Sequence, residues 1–183
     1  MPATINRHMT LHQGRVFALV SENYTLDNGV TADMDFIQHP GAVAVVPMLN
    51  QNDIILIRQY RHTVREYIWE IPAGTLDPQE NPLDCAKREL IEETGCSGVQ
   101  WHPLGKITPL PGCSDERIHI FLASNLKPAE QNLDKDEMLS VHRLQFKAAL
   151  QMILTGEIRD GKTISGLFLA SNWLEKNRTD INN

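Results

Sequence analysis

The segment Arg88-Glu89-Leu90-Ile91-Glu92-Glu93-Thr94-Gly95 constrains this chain more than any other. An α-helix turns about 100° per residue, so Glu89, Glu92 and Glu93 fall within an arc of roughly 100° on one face. Leu83, Ala86 and Leu90 form a separate apolar stripe, which has to be buried against a core. Both helix ends are marked. Asn81 can cap the start, Pro82 suits the first helical position and Asp84 lies in the first turn, while Gly95 can take the left-handed conformation that stops a helix. Carboxylates at i, i+3 and i+4 repel one another by several tenths of a kcal/mol per pair. A plain solvent-facing helix would interleave Lys or Arg at those spacings. Only Lys87 and Arg88 are close, and neither can neutralise all three. A divalent cation can, because hard oxygen donors are what Mg²⁺ takes beside waters and phosphates.

Composition sets the surroundings of this helix. The 183 residues, 42% apolar, suit one domain with a real core and a short additional arm. With 17 Lys+Arg against 23 Asp+Glu the formal charge is −6, which argues against nucleic-acid and anionic-membrane partners. A phosphate ligand needs only local positive charge or a bound cation, so it stays open. The apolar run 42–49 is far too short to span a bilayer, and Met1-Pro2-Ala3-Thr4-Ile5-Asn6-Arg7-His8 has no apolar signal region. Cys85, Cys96 and Cys113 are odd in number and form no C-x-x-C pair, as expected of reduced thiols. A cytoplasmic, soluble domain is the expectation.

Strand signals surround the helix. Residues 14–22 are apolar-rich, Asp27-Asn28-Gly29 is a tight turn, and Val30, Ala32, Met34 and Phe36 alternate with polar residues. These make an N-terminal β-hairpin arm over residues 1–40, with the main domain over 41–183. Runs 42–46 and 54–57 are continuously apolar, the pattern of strands covered on both faces. Strands are also expected at 67–71, 101–107 and 118–122, and helices at 147–154 and 161–176. Strands and helices mix without regular alternation, so the fold class is α/β of the α+β type, a mixed sheet sandwiched between helices.

The full spacing is more specific than the helix. Gly74, Glu80, Arg88, Glu89, Leu90, Glu92, Glu93, Gly95 and Cys96 reproduce G-x5-E-x7-R-E-U-x-E-E-x-G-U, where U is aliphatic. Seven fixed residues at about 7% frequency each coincide by chance at roughly 10⁻⁸ per starting position. The segment resembles the signature of the Nudix hydrolases, with Cys96 as the one soft departure. That resemblance implies the Nudix fold and cleavage of a pyrophosphate bond in a nucleoside diphosphate linked to another group. It implies Mg²⁺, or Mn²⁺ as substitute, held by Glu89 and Glu93, with Glu92 as ligand or support and the Ala73 carbonyl as a further ligand. Arg88 is expected to pair with Glu80, and with Gly74 and Gly95 these residues support the site rather than react.

Other stretches narrow the branch. Trp69-Glu70-Ile71-Pro72-Ala73-Gly74, the proline Pro111, Gly156–Thr163 and Arg58-Gln59-Tyr60-Arg61 together resemble ADP-ribose pyrophosphatases. The likeness implies substrate contacts at Arg61, Glu70, Gly112 and Glu116, products AMP and ribose 5-phosphate, and a homodimer joined through the N-terminal strands. Arg58 and Arg65 read as surface arginines. The general base is expected outside the helix, in Asp134-Lys135-Asp136-Glu137, with Glu137 placed best and Asp134 and Asp136 behind it. Other nucleoside diphosphate sugars, such as GDP-mannose or UDP-glucose, remain alternatives, as does a non-catalytic ADP-ribose-binding regulator. The histidines, Trp69 and Tyr60 read as structural.

Overall fold

The computed structural model describes residues 2–135 and 137–177. One unit takes the chain up to Gly41 together with Thr108–Arg117, and a second takes Ala42–Ile107 and the chain from Ile118 onward. In the first, β1 (Ala3–Gln13), β2 (Ala18–Leu26) and β3 (Thr31–Gln38) form an antiparallel sheet in that order. The expected turn joins β2 to β3: Gly29 has φ 83°, and Asn28 Oδ1 accepts the Val30 N–H at 3.1 Å. The arm thus has a third strand that sequence did not announce. β1 is almost wholly exposed, and polar residues such as Asn6, Arg7 and His8 break its apolar alternation. Thr108–Arg117 joins this unit by backbone bonds, from Ile37 N to Cys113 O at 2.9 Å and from Asp115 N to Ile37 O at 3.1 Å.

In the second unit the organising strand is β4 (Ala42–Pro47), buried at every position. It is followed by β5 (Asp53–Arg61), β6 (Glu66–Glu70), β7 (Ala73–Thr75), α1 (Pro82–Thr94), β8 (Cys96–Ser97), β9 (Gln100–Ile107) and β10 (Ile118–Ser124). The remaining elements are β11 (Lys127–Pro128), β12 (Leu139–Gln145), α2 (Phe146–Leu154) and α3 (Gly161–Lys176). A mixed sheet runs β7-β4-β10-β9, with β4 and β10 parallel and the outer pairs antiparallel. Because side chains alternate along a strand, β4 feeds two cores. Val43 and Val45 pack with Cys85, Ala86 and Leu90 of α1, whereas Ala42, Ala44 and Val46 pack with Ala149 of α2 and Leu167 and Ala170 of α3. The sheet is sandwiched between helices, as the apolar run at 42–46 implied. Burying a side chain such as Leu90 contributes roughly 2 kcal/mol.

A second antiparallel sheet, β12-β5-β6, carries Arg58, Arg61 and Glu70. β5 runs four residues past its apolar stretch because Arg58, Gln59, Tyr60 and Arg61 pair with β6. The ends of α1 follow the sequence signals. Asn81 accepts the Leu83 N–H at 2.9 Å, and Gly95 is left-handed (φ 66°), donating its N–H to Ile91 O at 2.9 Å. Among the described residues, no helix is long and apolar enough to cross a membrane.

Candidate active site

The apolar stripe of α1 turns Leu90 into the core and so fixes where its carboxylates point. Glu93 is 1% exposed and Glu89 9% exposed, while Glu92 stays half-buried. Arg88 gathers most of the acidic groups. Its Nε and Nη2 fork onto Glu80 at 3.0 and 2.9 Å, and its Nη1 donates to Glu89 Oε1 at 2.6 Å and Glu92 Oε2 at 3.1 Å. The guanidinium beside Glu80 holds that carboxyl down at about 2. Arg88 therefore ties the loop before α1 to the helix, a supporting place rather than a reacting one.

Glu93 lies outside this network. It accepts the Ala73 N–H at 2.9 Å and pairs with no cationic side chain among the described residues. Burial pushes its carboxyl up to about 8, with the charges of Glu89 and Glu137 adding to the rise and the Ala73 N–H and Arg61 opposing it. Burial likewise pushes Glu89 up to about 7 against the pull of Arg88. Glu137 acts on both glutamates, so its loop faces the same carboxylates. Within that loop Glu137 Oε2 accepts the Asp134 N–H at 3.0 Å, whereas Asp136 lies outside the described residues.

The loop before α1 is shaped for these groups. A Cβ on Gly74 would stand 1.9 Å from Glu89 Oε1, so only glycine leaves the carboxylate its space. Among the described residues, no three His, Cys, Asp or Glu side chains form a finished metal cage. The donor set nevertheless fits a hard divalent cation: two buried carboxylates, Glu89 with one ion pair to Arg88 and Glu93 with no cationic partner among the described residues, beside a glycine-opened loop. Mg²⁺ characteristically keeps several waters, so few protein donors suffice.

This arrangement ties stability to pH. Both carboxyls have an ordinary value of 4.5 but stand near 7 and 8 in the fold. Between about pH 4.5 and 8 the folded chain therefore holds protons that the unfolded chain has released, and stability falls as pH rises. Chelator-treated protein is expected to lose on the order of 6 kcal/mol from these groups between pH 5 and 8.5. Added Mg²⁺ should raise the melting temperature more at pH 8.5 than at pH 5. Thermal melts across that range check this; a cation effect independent of pH contradicts it.

Phosphate-binding candidates divide between the units. Arg61, at the end of β5, forks Nε and Nη2 onto Glu70 Oε1 and Oε2 at 2.6 and 2.7 Å, and remains 37% exposed. Glu70, expected at the substrate, is fully buried, and Lys162 also donates to it. Burial alone would raise this carboxyl, but Arg61 and Lys162 outweigh it and hold it below the ordinary range. Its place is underneath Arg61. Arg58 lies over the Trp69 ring at 5.6 Å, and Arg65 is an exposed turn residue with φ 59°. Gly112 and Glu116 belong to the first unit, where Glu116 Oε1 lies 3.9 Å from His39 Nδ1. Sequence reasoning passed over Lys162. A cation in the first turn of α3 opposes the helix dipole, and that misfit was the available signal.

Comparison with known proteins agrees with this geometry. The NUDIX domain family model matches residues 38–166. A Bacillus methanolicus protein named methanol dehydrogenase activator is 40% identical, with 84% of each chain covered. The ADP-ribose pyrophosphatase of Bacillus subtilis (strain 168) is 36% identical, again over 84% of each chain. A GDP-mannose pyrophosphatase of Escherichia coli O1:K1 / APEC is 33% identical, covering 80% of this chain and 87% of that one. A crystal structure of an ADP compounds hydrolase superposes with a TM-score of 0.84 at 26% identity, covering 98% of both chains. Matched over its domain and carrying the whole carboxylate motif on the expected helix, the chain belongs to the Nudix family.

Proposed function

We propose that this chain hydrolyses the pyrophosphate bond of ADP-ribose, giving AMP and ribose 5-phosphate, with Mg²⁺ at the α1 carboxylates. The observation that carries the reading is Glu93, a buried carboxylate with no cationic partner among the described residues, next to Glu89 and within the field of Arg61. Glu89 and Glu93 supply the main oxygen donors, supported by Glu92 and the Ala73 carbonyl. The cation, when bound, neutralises the pyrophosphate and makes water a better nucleophile at neutral pH. Arg61 offers its free N–H groups to a phosphate oxygen. Glu137 takes a proton from the attacking water as a P–O bond forms and the bridging P–O bond breaks; Asp134 and Asp136 are the other candidates for this step. Gly112 and Glu116 are substrate contacts on this reading.

The choice of substrate rests on two relatives named ADP-ribose pyrophosphatase, at 36% and 34% identity. A relative named GDP-mannose pyrophosphatase supports the second reading, another nucleoside diphosphate sugar. The chain forms a homodimer through residues 1–40. Supporting this, β1 lies at a sheet edge with Ile5, Met9 and Leu11 exposed. The free thiols of Cys85, Cys96 and Cys113 support a cytoplasmic protein, and a net charge of −6 supports one with neither nucleic-acid nor membrane partners.

Product analysis on ADP-ribose, GDP-mannose and UDP-glucose with Mg²⁺ tests the substrate. The expected result is AMP and ribose 5-phosphate at a kcat/KM at least about tenfold above that for GDP-mannose. A flat profile contradicts the substrate, and tight binding of ADP-ribose without turnover identifies a regulator.

A further inference from the structure

Glu70 is a buried carboxylate held by two cations from elements far apart in sequence. Arg61 reaches it across the β5–β6 pair, and Lys162 reaches it from the first turn of α3, 92 residues away. Lys162 is itself largely buried, its side chain 14% exposed, and also lies 3.1 Å from Asp160 Oδ2. Asp160 is engaged in capping α3, accepting the Thr163 N–H at 2.9 Å and its hydroxyl at 2.6 Å. Thr163 Oγ1 in turn accepts the Ile71 N–H at 2.9 Å. The first turn of α3 thereby grips Glu70 and Ile71, the two residues just before Pro72-Ala73-Gly74.

An arginine paired with a single buried carboxylate presents little net charge to a ligand. Asp160 beside Lys162 balances its charge, so what Lys162 adds is a fixed place for Glu70, whose two oxygens hold the bidentate fork and set the guanidinium plane. Arg61 Nη1 donates to no protein group among the described residues, so it is the part left for an anion.

We propose that Lys162 is a positioning residue for phosphate binding, acting through Glu70 to orient Arg61. This rests on the reading that Arg61 meets the substrate pyrophosphate. The test uses the full chain with Mg²⁺, measuring ADP-ribose turnover and calorimetric binding of inorganic pyrophosphate. Lys162→Met should raise both KM and the pyrophosphate Kd about tenfold, with kcat within about threefold of wild type. Lys162→Arg should stay near wild type. In a Glu70→Gln background, where the anion that joins the two cations is gone, adding Lys162→Met should change KM by less than about twofold.

Three results would overturn the proposal. One is an unchanged KM and Kd in Lys162→Met. Another is a tenfold effect that persists in the Glu70→Gln background, which would make Lys162 a direct contact. The third is a fall in kcat that tracks a lowered melting temperature and that Lys162→Arg does not rescue, the mark of a merely structural role. Wild-type protein without turnover would count against the ADP-ribose reading alone, and the pyrophosphate constants would still decide the role of Lys162.

Discussion

Glu93→Gln is expected to lower kcat on ADP-ribose by about 10³-fold while leaving the fold intact. The amide keeps the shape of the side chain and can still accept the Ala73 N–H, so the loop before α1 loses little. What disappears is the charge. Wild-type Glu93 is held in the core at a carboxyl value near 8, and only a cation makes its ionised form comfortable there. Removing that charge should also raise the melting temperature of chelator-treated protein at pH 8, because the buried anion is gone. Steady-state kinetics at saturating Mg²⁺, with thermal melts of the same samples, read both effects. Turnover like that of wild type would remove Glu93 from the reaction.

The second large effect comes from a residue with no chemistry of its own. Gly74→Ala is expected to reduce kcat/KM roughly 10²-fold and to raise the Mg²⁺ concentration for half-maximal activity. The added methyl would occupy the space of the Glu89 carboxylate, 1.9 Å from Oε1 and 2.4 Å from Oε2. Those atoms end a flexible side chain, so the carboxylate can swing aside and the fold survives. It then no longer faces Glu93 in the same way. A wild-type Mg²⁺ dependence in the alanine variant would show that Glu89 holds no cation in the position seen. Circular dichroism of the variant separates this outcome from unfolding.

Much of the site was legible in the sequence because local rules govern it. Asn81, Pro82 and Gly95 delimit α1 through capping, and helical periodicity alone places Glu89, Glu92 and Glu93 together beside the stripe of Leu83, Ala86 and Leu90. The two-sided burial of 42–46 follows from its unbroken apolar run, which β4 realises between α1 and the α2–α3 layer. What sequence could not supply was depth. Glu70 reads as a substrate contact until Arg61 and Lys162 are seen on either side of it, and the latter pairing spans 92 positions. Likewise Glu89 and Glu93 look equivalent on a helical projection, yet Arg88 partners only Glu89. β1 went unnoticed for the opposite reason: an exposed edge strand has no buried face to impose apolar alternation.

The central claim is that the α1 carboxylates hold a divalent cation for phosphate chemistry. Its most direct measurement is electron paramagnetic resonance of Mn²⁺ titrated into wild-type protein and the Glu93→Gln variant at pH 8. Wild type should remove Mn²⁺ from the free-ion signal in a saturable way, and Mg²⁺ should compete with it. Glu93→Gln should weaken that binding by at least about tenfold. Identical binding curves for the two proteins, or no saturable binding by wild type, would contradict the assignment of the cation to this helix.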